Sequence, residues 1–410
     1  MCAQWNSDID RGLVIDAISR IAFVNEHGGA SFTGIAIQRY IPMLISAVEF
    51  DRGIPPSLHH DFVWSAVCDA VKAGKLDANN LKRLVCANER AYLKEPVRHY
   101  ILLTAIGLKL PKYPLRIRIG GTTLVFTQRY PKRFDRKPVA HQFSSAVAAE
   151  LPKDYCWVRV SISGRRPKEA AECGLEALDL LRGIWNFGLT FQTFRMSFPA
   201  CGPANKILPG PIHTLHSPDG TLATKLYWYE PSYRKPTIPY DVSAKFDRLR
   251  GFEKRVRQQL RSAKEKCLLI HALIRYVRAQ DEWDLNNMFL SLWSLLETLT
   301  DTLKLSYDKT IRRAAFIGRD RAFAMQELNH LRIWRNKTVH LGKSSEDRQS
   351  HVNALKAHVD ELLAFLLLNP DNRRKSLEEI ALFLDVPHDA ETLTQRIELY
   401  QKALKLHGGK

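Results

Sequence analysis

The chain has 410 residues, 45% of them hydrophobic and 25% charged. That is the make-up of a folded globular protein too long for one ordinary core, and it excludes disorder over most of the length. Sixty-one Lys and Arg against 43 Asp and Glu leave a net charge of +18. Such a surplus favours a polyanionic partner such as nucleic acid.

Residues 1 to about 110 read as mainly helical, broken at His27-Gly28-Gly29 and at Gly53-Ile54-Pro55-Pro56. Leu81 to Leu108 carries apolar residues at helical spacing, interrupted by Pro96. The character changes at Pro111. Ile117 and Ile119, then Gly120-Gly121, then Leu124-Val125-Phe126 predict a hairpin, because paired glycines supply the positive φ of a tight turn. Cys156, Val158, Val160 and Ile162 alternate with Trp157, Arg159, Ser161 and Ser163, the period of a half-buried strand. A helix is expected from about 168 to 185, a Pro- and Gly-rich segment from Phe198 to Pro211, and a strand from Leu222 to Tyr229. Together, residues 111–240 read as an α+β middle domain that ends in a linker between Pro231 and Pro239.

From Asp241 to the end, helices are expected at about 243–280, 283–304, 321–341, 350–369, 376–385 and 390–405. The part from about 243 to 369 reads as a helical bundle with a helical tail. The expected class is therefore multidomain and mainly α, with an α+β middle domain. The longest unbroken apolar run, Leu362 to Leu368, is far short of the roughly 18 residues that span a bilayer. The N-terminus lacks the basic start and apolar stretch of a signal peptide. Seven scattered cysteines without a CxxC pair read as reduced thiols, so a cytoplasmic location is expected.

The charge is local. Lys245 to Arg278 holds eleven basic and three acidic residues, a net +8, and Lys112 to Lys137 holds eight basic residues against Asp135 alone. Residues 281 to 370 balance at twelve of each sign. Either basic stretch alone could be a solvated helix face, but two of one sign point to a nucleic-acid track beside a neutral core. Arg250, Lys254, Arg257 and Arg261 are the residues expected to grip phosphate. Tyr130, Tyr155 and Trp157 lie near the second cluster and could stack on bases, although such aromatics are more often core.

The informative segment is Leu331-Arg-Ile-Trp-Arg335-Asn336-Lys-Thr-Val-His340-Leu-Gly342. Ala324, Leu328, Leu331, Arg335 and Val339 share three- and four-residue spacing, which puts Arg335 on the apolar stripe of its own helix. A guanidinium there either pairs with an acid or lines a cleft where an anion sits. Glu297, at the margin of the apolar face of Phe289-Leu-Ser-Leu-Trp293-Ser-Leu-Leu-Glu297, is the candidate acid, and an Arg335–Glu297 ion pair is one expectation. Asn336 and His340 share a helical face beside Ile333. Arg335 and His340 are about 140° apart on a regular helix, so they meet on one phosphate only if the helix loosens near Gly342 or two copies combine.

Arg335-Asn336-x-x-x-His340 resembles the R-x4-6-H motif of HEPN-domain ribonucleases, including the polar residue after the arginine. Phe-Leu-Ser-Leu-Trp-Ser-Leu-Leu-Glu is similar to the preceding helix of ApeA-like HEPN proteins of bacterial defence systems. The resemblance covers about residues 243 to 369 and does not reach residues 1–240. It implies a HEPN-like bundle within 241–410 and metal-independent RNA cleavage, with 2′,3′-cyclic phosphate and 5′-hydroxyl ends. It further implies His340 as the proton-transfer group, Arg335 on the phosphate, Asn336 orienting either, and Glu297 in support. A homodimer, no cofactor, no metal, and an antiphage or abortive-infection role with a phage-derived trigger sensed by residues 1–240 complete that picture. The competing reading is a sensor or scaffold whose bundle binds RNA or a partner without cutting it.

Other signals carry less. His213-Thr-Leu-His216 and His59-His60 lack nearby Cys or acidic ligands at a metal spacing. His351 and His358 are expected at the surface. No GxxxxGK[ST] loop, GxGxxG turn or GxSxG elbow is present.

Overall fold

A computed structural model describes residues 3–6, 8–136, 154–191, 202–233, 238–303, 305–341, 348–387 and 389–407, without the side chains of 338–341. The first 95 residues form a small helical unit. Its elements are β1 (Gln4–Trp5), α1 (Arg11–Ser19), β2 (Ala22–Val24), β3 (Ala30–Phe32), α2 (Ile37–Ser46), β4 (Val48–Glu49), α3 (His59–Lys72) and α4 (Ala78–Lys94). Asp10 and Asp77 start α1 and α4 by accepting first-turn N–H groups. Buried Glu89 ties the unit together, accepting from the backbone N–H groups of Ala3 at 2.8 Å and Asp51 at 3.2 Å. Cys86 forms a disulfide, contrary to the expectation of reduced thiols throughout, while Cys68, Cys156, Cys173 and Cys267 are free. Its burial beside Ala3, whose carbonyl lies 3.7 Å from Cys86 Sγ, brings the N-terminal segment onto α4.

The helical periodicity expected from Leu81 to Leu108 stops at Lys94. Pro96 holds the preceding Glu95 in an extended conformation, and Arg98–Ile106 is strand β5. Its continuous apolar run suits a strand covered on both faces. The remaining strands are β6 (Leu108–Lys109), β7 (Leu115–Ile119), β8 (Thr122–Thr127), β9 (Cys156–Gly164), β10 (Ile212–His216), β11 (Leu222–Tyr229) and β12 (Tyr240–Asp241). An antiparallel six-stranded sheet has the order β11-β10-β5-β9-β8-β7, and β12 runs parallel to β6. The β7–β8 hairpin closes as expected: Ile119 faces Thr122, with Gly120 and Gly121 at φ of 57° and 83°.

Helix α5 (Pro167–Thr190) lies between β9 and β10 in the chain. The C-terminal helices are α6 (Phe246–Ser262), α7 (Lys266–Asp281), α8 (Leu285–Leu299), α9 (Tyr307–Ala315), α10 (Arg321–Leu341), α11 (Arg348–Leu368), α12 (Leu377–Leu384) and α13 (Ala390–His407). The single helix expected over 243–280 is thus two. No Gly or Pro breaks it. The 263–265 joint is held from outside, by the Lys264 N–H donating to the Arg373 carbonyl at 2.9 Å and Glu265 Oε1 accepting from the Leu377 N–H at 3.2 Å.

Helix α5 is buried at every residue from Leu178 to Phe187, with the sheet on one side and α7 on the other. Gly174 meets Ile162 and Leu102 of the sheet, and a Cβ on Gly183 would stand 2.5 Å from the Leu273 carbonyl oxygen of α7. One hydrophobic cluster consequently runs from Tyr100 to Leu384, and the boundary expected near residue 240 falls inside it. A second cluster, including Val14, Ile41, Val67 and Leu81, serves the N-terminal unit. The two units are joined by Arg166, whose guanidinium grips Glu95 with two nitrogens at 2.6–3.1 Å and covers the rings of Phe62 and Tyr92.

Gly183→Ala is expected to destabilise the protein by about 1–3 kcal/mol, because α5 and α7 must separate to admit the methyl group. Gly251→Ala, in the interior of α6 with nothing near its missing Cβ, is expected to stabilise by up to about 1 kcal/mol. Denaturant midpoints of the two variants should move in opposite directions; a shared sign would contradict the close crossing.

Candidate active site

Of the segment singled out by the sequence, Leu331 to Leu341 lie in α10, which packs against α8, α9 and α11, and Gly342 lies outside the described residues. Arg335 is half-buried. Its guanidinium carbon stands 5.1 Å from the centroid of the Tyr307 ring, a cation–π contact. Nη1 donates a long bond, 3.4 Å, to Asn336 Oδ1, and among the described residues Nε has no partner.

The expected ion pair with Glu297 does not form. Glu297 Oε1 accepts from the Trp293 indole N–H at 3.0 Å instead. The cation beside Glu297 is Arg275 of α7, whose guanidinium donates to Thr298 Oγ1 and Ser294 Oγ at 2.8 and 2.9 Å. Burial pulls the Arg275 pKa down and the Glu297 charge opposes that pull. The physical reason is placement: Tyr307 covers the Arg335 guanidinium, its ring packing edge-on against Trp293 at 6.1 Å. Glu297, Trp293, Tyr307 and Arg335 thus form one connected row across three helices. Tyr307 and helix α9 were absent from the sequence expectation.

The position of Tyr307 is fixed by its surroundings. Thr300, Thr302 and Thr310, all buried, link their hydroxyls at 2.9 and 2.7 Å. Asp301 takes the left-handed conformation that ends α8, at φ 53°. Arg313 donates to the carbonyls of Thr300 and Asp301 at 2.7 and 3.0 Å, and to both Asp385 oxygens at 3.0 and 2.6 Å. Next to Tyr307, Asp308 pairs with Arg332 of α10 at 2.5 Å.

His340 lies in the last turn of α10, and its side chain is outside the described residues. The backbone stays helical through Leu341, so no loosening occurs before that residue. Along the same helix, His330 Nε2 meets His351 Nε2 of α11 at 3.0 Å, with Trp334 stacked on His351 at 4.9 Å. His358, expected at the surface, is 7% exposed and bound to Glu327 at 2.8 Å. That bond holds the Glu327 carboxyl below its ordinary range. His351 is half-buried. Both histidines point into the α10–α11 seam because α11 packs there; a seven-residue spacing alone does not tell which face is covered.

The other flagged histidines have protein partners. His213 is bound by Thr104 Oγ1 at 2.6 Å and Glu230 at 3.0 Å, and His216 by the Gly220 carbonyl and Thr214 Oγ1 at 3.1 and 2.9 Å. His59 stacks on Phe50 at 3.7 Å. Among the described residues, no group of three or more His, Cys, Asp or Glu could hold a metal ion.

Half of the expected phosphate grip is otherwise engaged. Glu253 is fully buried, and Arg250 and Arg257, one turn to either side, both pair with it, the latter at 2.8 Å. A carboxylate carried into the core must be neutralised, and these two cations do so. Lys254 and Arg261 remain exposed. Of the expected stacking aromatics, Tyr155 is 1% exposed and Trp157 is covered by Tyr130 edge-on and by the Arg136 guanidinium. Among the described residues, no helix is long and apolar enough to cross a membrane. Comparison with protein-family models, with curated proteins and with solved structures found no match to this chain.

Hydrogen bonds from the Arg313 guanidinium, and less so from that of Arg312, hold the Asp385 carboxyl down at about 2, below its ordinary 3.8. The stabilisation is then present above about pH 4 and lost as pH falls through 2. Asp385→Asn is expected to lower stability by about 1 kcal/mol at neutral pH, the scale of a partly screened ion pair. Urea unfolding at pH 7 and near pH 2 should show that gap closing in acid; a constant gap would assign it to packing.

Proposed function

We propose that this chain is a metal-independent endoribonuclease of the HEPN type, acting in bacterial antiphage or abortive-infection defence. The observation that carries the reading is Arg335, a half-buried guanidinium set on the Tyr307 face with no carboxylate partner among the described residues. Of the two roles open to an arginine on an apolar stripe, an internal ion pair is not the one it takes. A guanidinium in that setting suits a phosphate. His340, five residues on, supplies an imidazole whose ordinary pKa of about 6.5 suits proton transfer near neutrality.

In this mechanism the RNA 2′-oxygen attacks the adjacent phosphorus while its proton leaves to a base. The bond from phosphorus to the 5′-oxygen breaks, and that oxygen takes up a proton. The products are a 2′,3′-cyclic phosphate and a 5′-hydroxyl. His340 moves the proton, Arg335 stabilises the charge gathering on the phosphoryl oxygens, and Asn336, already in contact with Arg335, orients the pair. Helix α10 is continuous between the two, which leaves them about 140° apart and roughly 7.5 Å along the axis. A composite site made by two copies of α10, Arg335 of one facing His340 of the other, removes that obstacle and makes the active species a homodimer. Residues 1–240 would then carry the sensor for a phage-derived trigger.

Incubation with mixed RNA in EDTA is expected to yield cyclic-phosphate ends, read by mass spectrometry. His340→Ala should lower the rate by about 10²–10⁴-fold. Arg335→Lys should fail comparably, since an ammonium lacks the planar fork that grips phosphate. RNA that is bound yet stays intact with the unaltered protein would instead favour a non-catalytic binding scaffold. Tyr307 acts as a positioning residue: Tyr307→Phe should retain activity, and Tyr307→Leu should lose about tenfold through the missing cation–π contact. Equal rates for the two variants would remove Tyr307 from the site.

A further inference from the structure

The two basic stretches, more than a hundred residues apart in the chain, meet in space. Arg257 Nη2 of α6 donates to the carbonyl oxygen of Arg118 in β7, fastening the β7–β8 hairpin against the helix. Beside this contact the Gly120–Gly121 turn and the α6–α7 joint enclose a groove of about 320 Å³. That is within the range of small-molecule sites. Its floor is apolar, made by Ile119, Leu260 and Ile270. Its rim carries Arg118, Arg261 and Lys266, all exposed. None of the three has an ion-pair partner among the described residues, and no acidic side chain lines the groove.

Two further features have the same sign. Helix α7 begins at the groove with Lys266; its first turn holds no acid, and its N-cap residue Glu265 does not cap it but accepts from the Leu377 N–H at 3.2 Å. Its N–H groups and partial positive charge therefore add to the three side chains. Gly120 and Gly121 present bare backbone, with nothing within 4 Å of either missing Cβ, so a bulky anion can approach closely. An apolar floor beneath two guanidinium forks and an ammonium matches a nucleotide: a flat base below, phosphate oxygens at the rim.

We infer that this groove binds the phosphate and base of a nucleotide, supplied by a single-stranded RNA lying across the α6–α7 joint. The choice of RNA rests on the ribonuclease reading, but the groove is separate from the Arg335 row and its occupation requires no cleavage. Of the expected grip it keeps Arg261, and it puts Arg118 and Lys266 in place of Arg250 and Arg257, which Glu253 engages.

Binding is tested by fluorescence anisotropy with a labelled 2′-O-methyl oligouridylate, which cannot undergo 2′-oxygen attack. Full-length protein is compared with the triple variant Arg118→Gln, Arg261→Gln, Lys266→Gln. A control triple, Arg396→Gln, Lys402→Gln, Lys405→Gln, removes the same charge from exposed positions of α13. The groove variant is expected to bind at least about tenfold more weakly at low salt. Its log affinity against log salt should lose a slope of about 2, the counterions of three phosphate contacts. The control should keep both, and thermal melts should show both variants folded. If UMP and UTP bind while the oligomer does not, and the groove variant loses them, the same chemistry serves a free nucleotide. Equal oligomer affinity in groove and control variants would overturn the inference, as would preferential, groove-dependent binding of polyglutamate. RNA bound through the groove but never cut would count against the ribonuclease alone; RNA cut normally by the groove variant, with its oligomer binding intact, would count against the groove alone.

Discussion

Helix α5 is covered by the sheet on one face and by α7 on the other, and that double burial constrains everything around it. Its stretch from Leu178 to Phe187, which has no solvent face, must satisfy each polar group internally. Arg182, 1% exposed, does so by donating to Asp179 at 2.6 Å, to both oxygens of Asp281 at 2.7 and 2.8 Å, and to the Ile207 carbonyl. Arg278 closes the other oxygen of Asp179 at 2.8 Å, and Asn205 donates to Asp281 at 2.7 Å. Deeper along the same helix, Lys356 donates to the Thr190 carbonyl and to Asp360, which also accepts from the Tyr276 hydroxyl at 2.7 Å. These bonds tie α5, α7 and α11 into one arrangement. The sheet and the helices that present Arg335 are consequently packed as one body.

Burial of acids also decides where positive charge remains available. Glu253 takes Arg250 and Arg257, and Asp179 takes Arg278, while on the surface Glu379 pairs with Lys264. Arg275 is spent on Ser294 and Thr298. The long basic stretch read from the sequence is thereby thinned, and Lys245 just before α6, Arg248, Lys254, Arg255 and Arg261 on α6, and Lys266 at the start of α7 are left exposed. In the second stretch, Arg136 is drawn over Trp157 and Arg133 donates to the Pro218 and Asp219 carbonyls. Net charge describes the composition; the surface field is set by which cations the core has not claimed.

The Arg335 row obeys the same logic with the opposite outcome. Glu297 is occupied by Trp293 and lies beside Arg275, so no carboxylate reaches Arg335 among the described residues. Tyr307 offers the guanidinium a π face, which attracts a cation without neutralising it. The site therefore keeps its positive charge while holding the side chain in place. Helix α9, anchored through Arg313 and Asp385, makes that possible.

Local pattern was enough for the elements whose partners are adjacent in the chain. The 117–126 hairpin, the alternating strand from Cys156, the strand Leu222–Tyr229 and helix 321–341 all lie where periodicity and turn chemistry put them, since a two-residue Gly-Gly turn or a 3.6-residue stripe is decided within a few residues. Arg335 and Asn336 could be singled out for the same reason, as polar residues on or beside an apolar stripe. Three features required distant contacts. Helix α6 ends at Ser262 because Arg373 and Leu377 supply bonds there, α9 is held in place by Arg313 bonding the Thr300 carbonyl and Asp385, and β5 is a strand because β9 and β10 flank it. The partner of each charged side chain belongs to this second kind. A sequence lists acids and bases, but only packing decides which of them share a low-dielectric interior and must therefore pair.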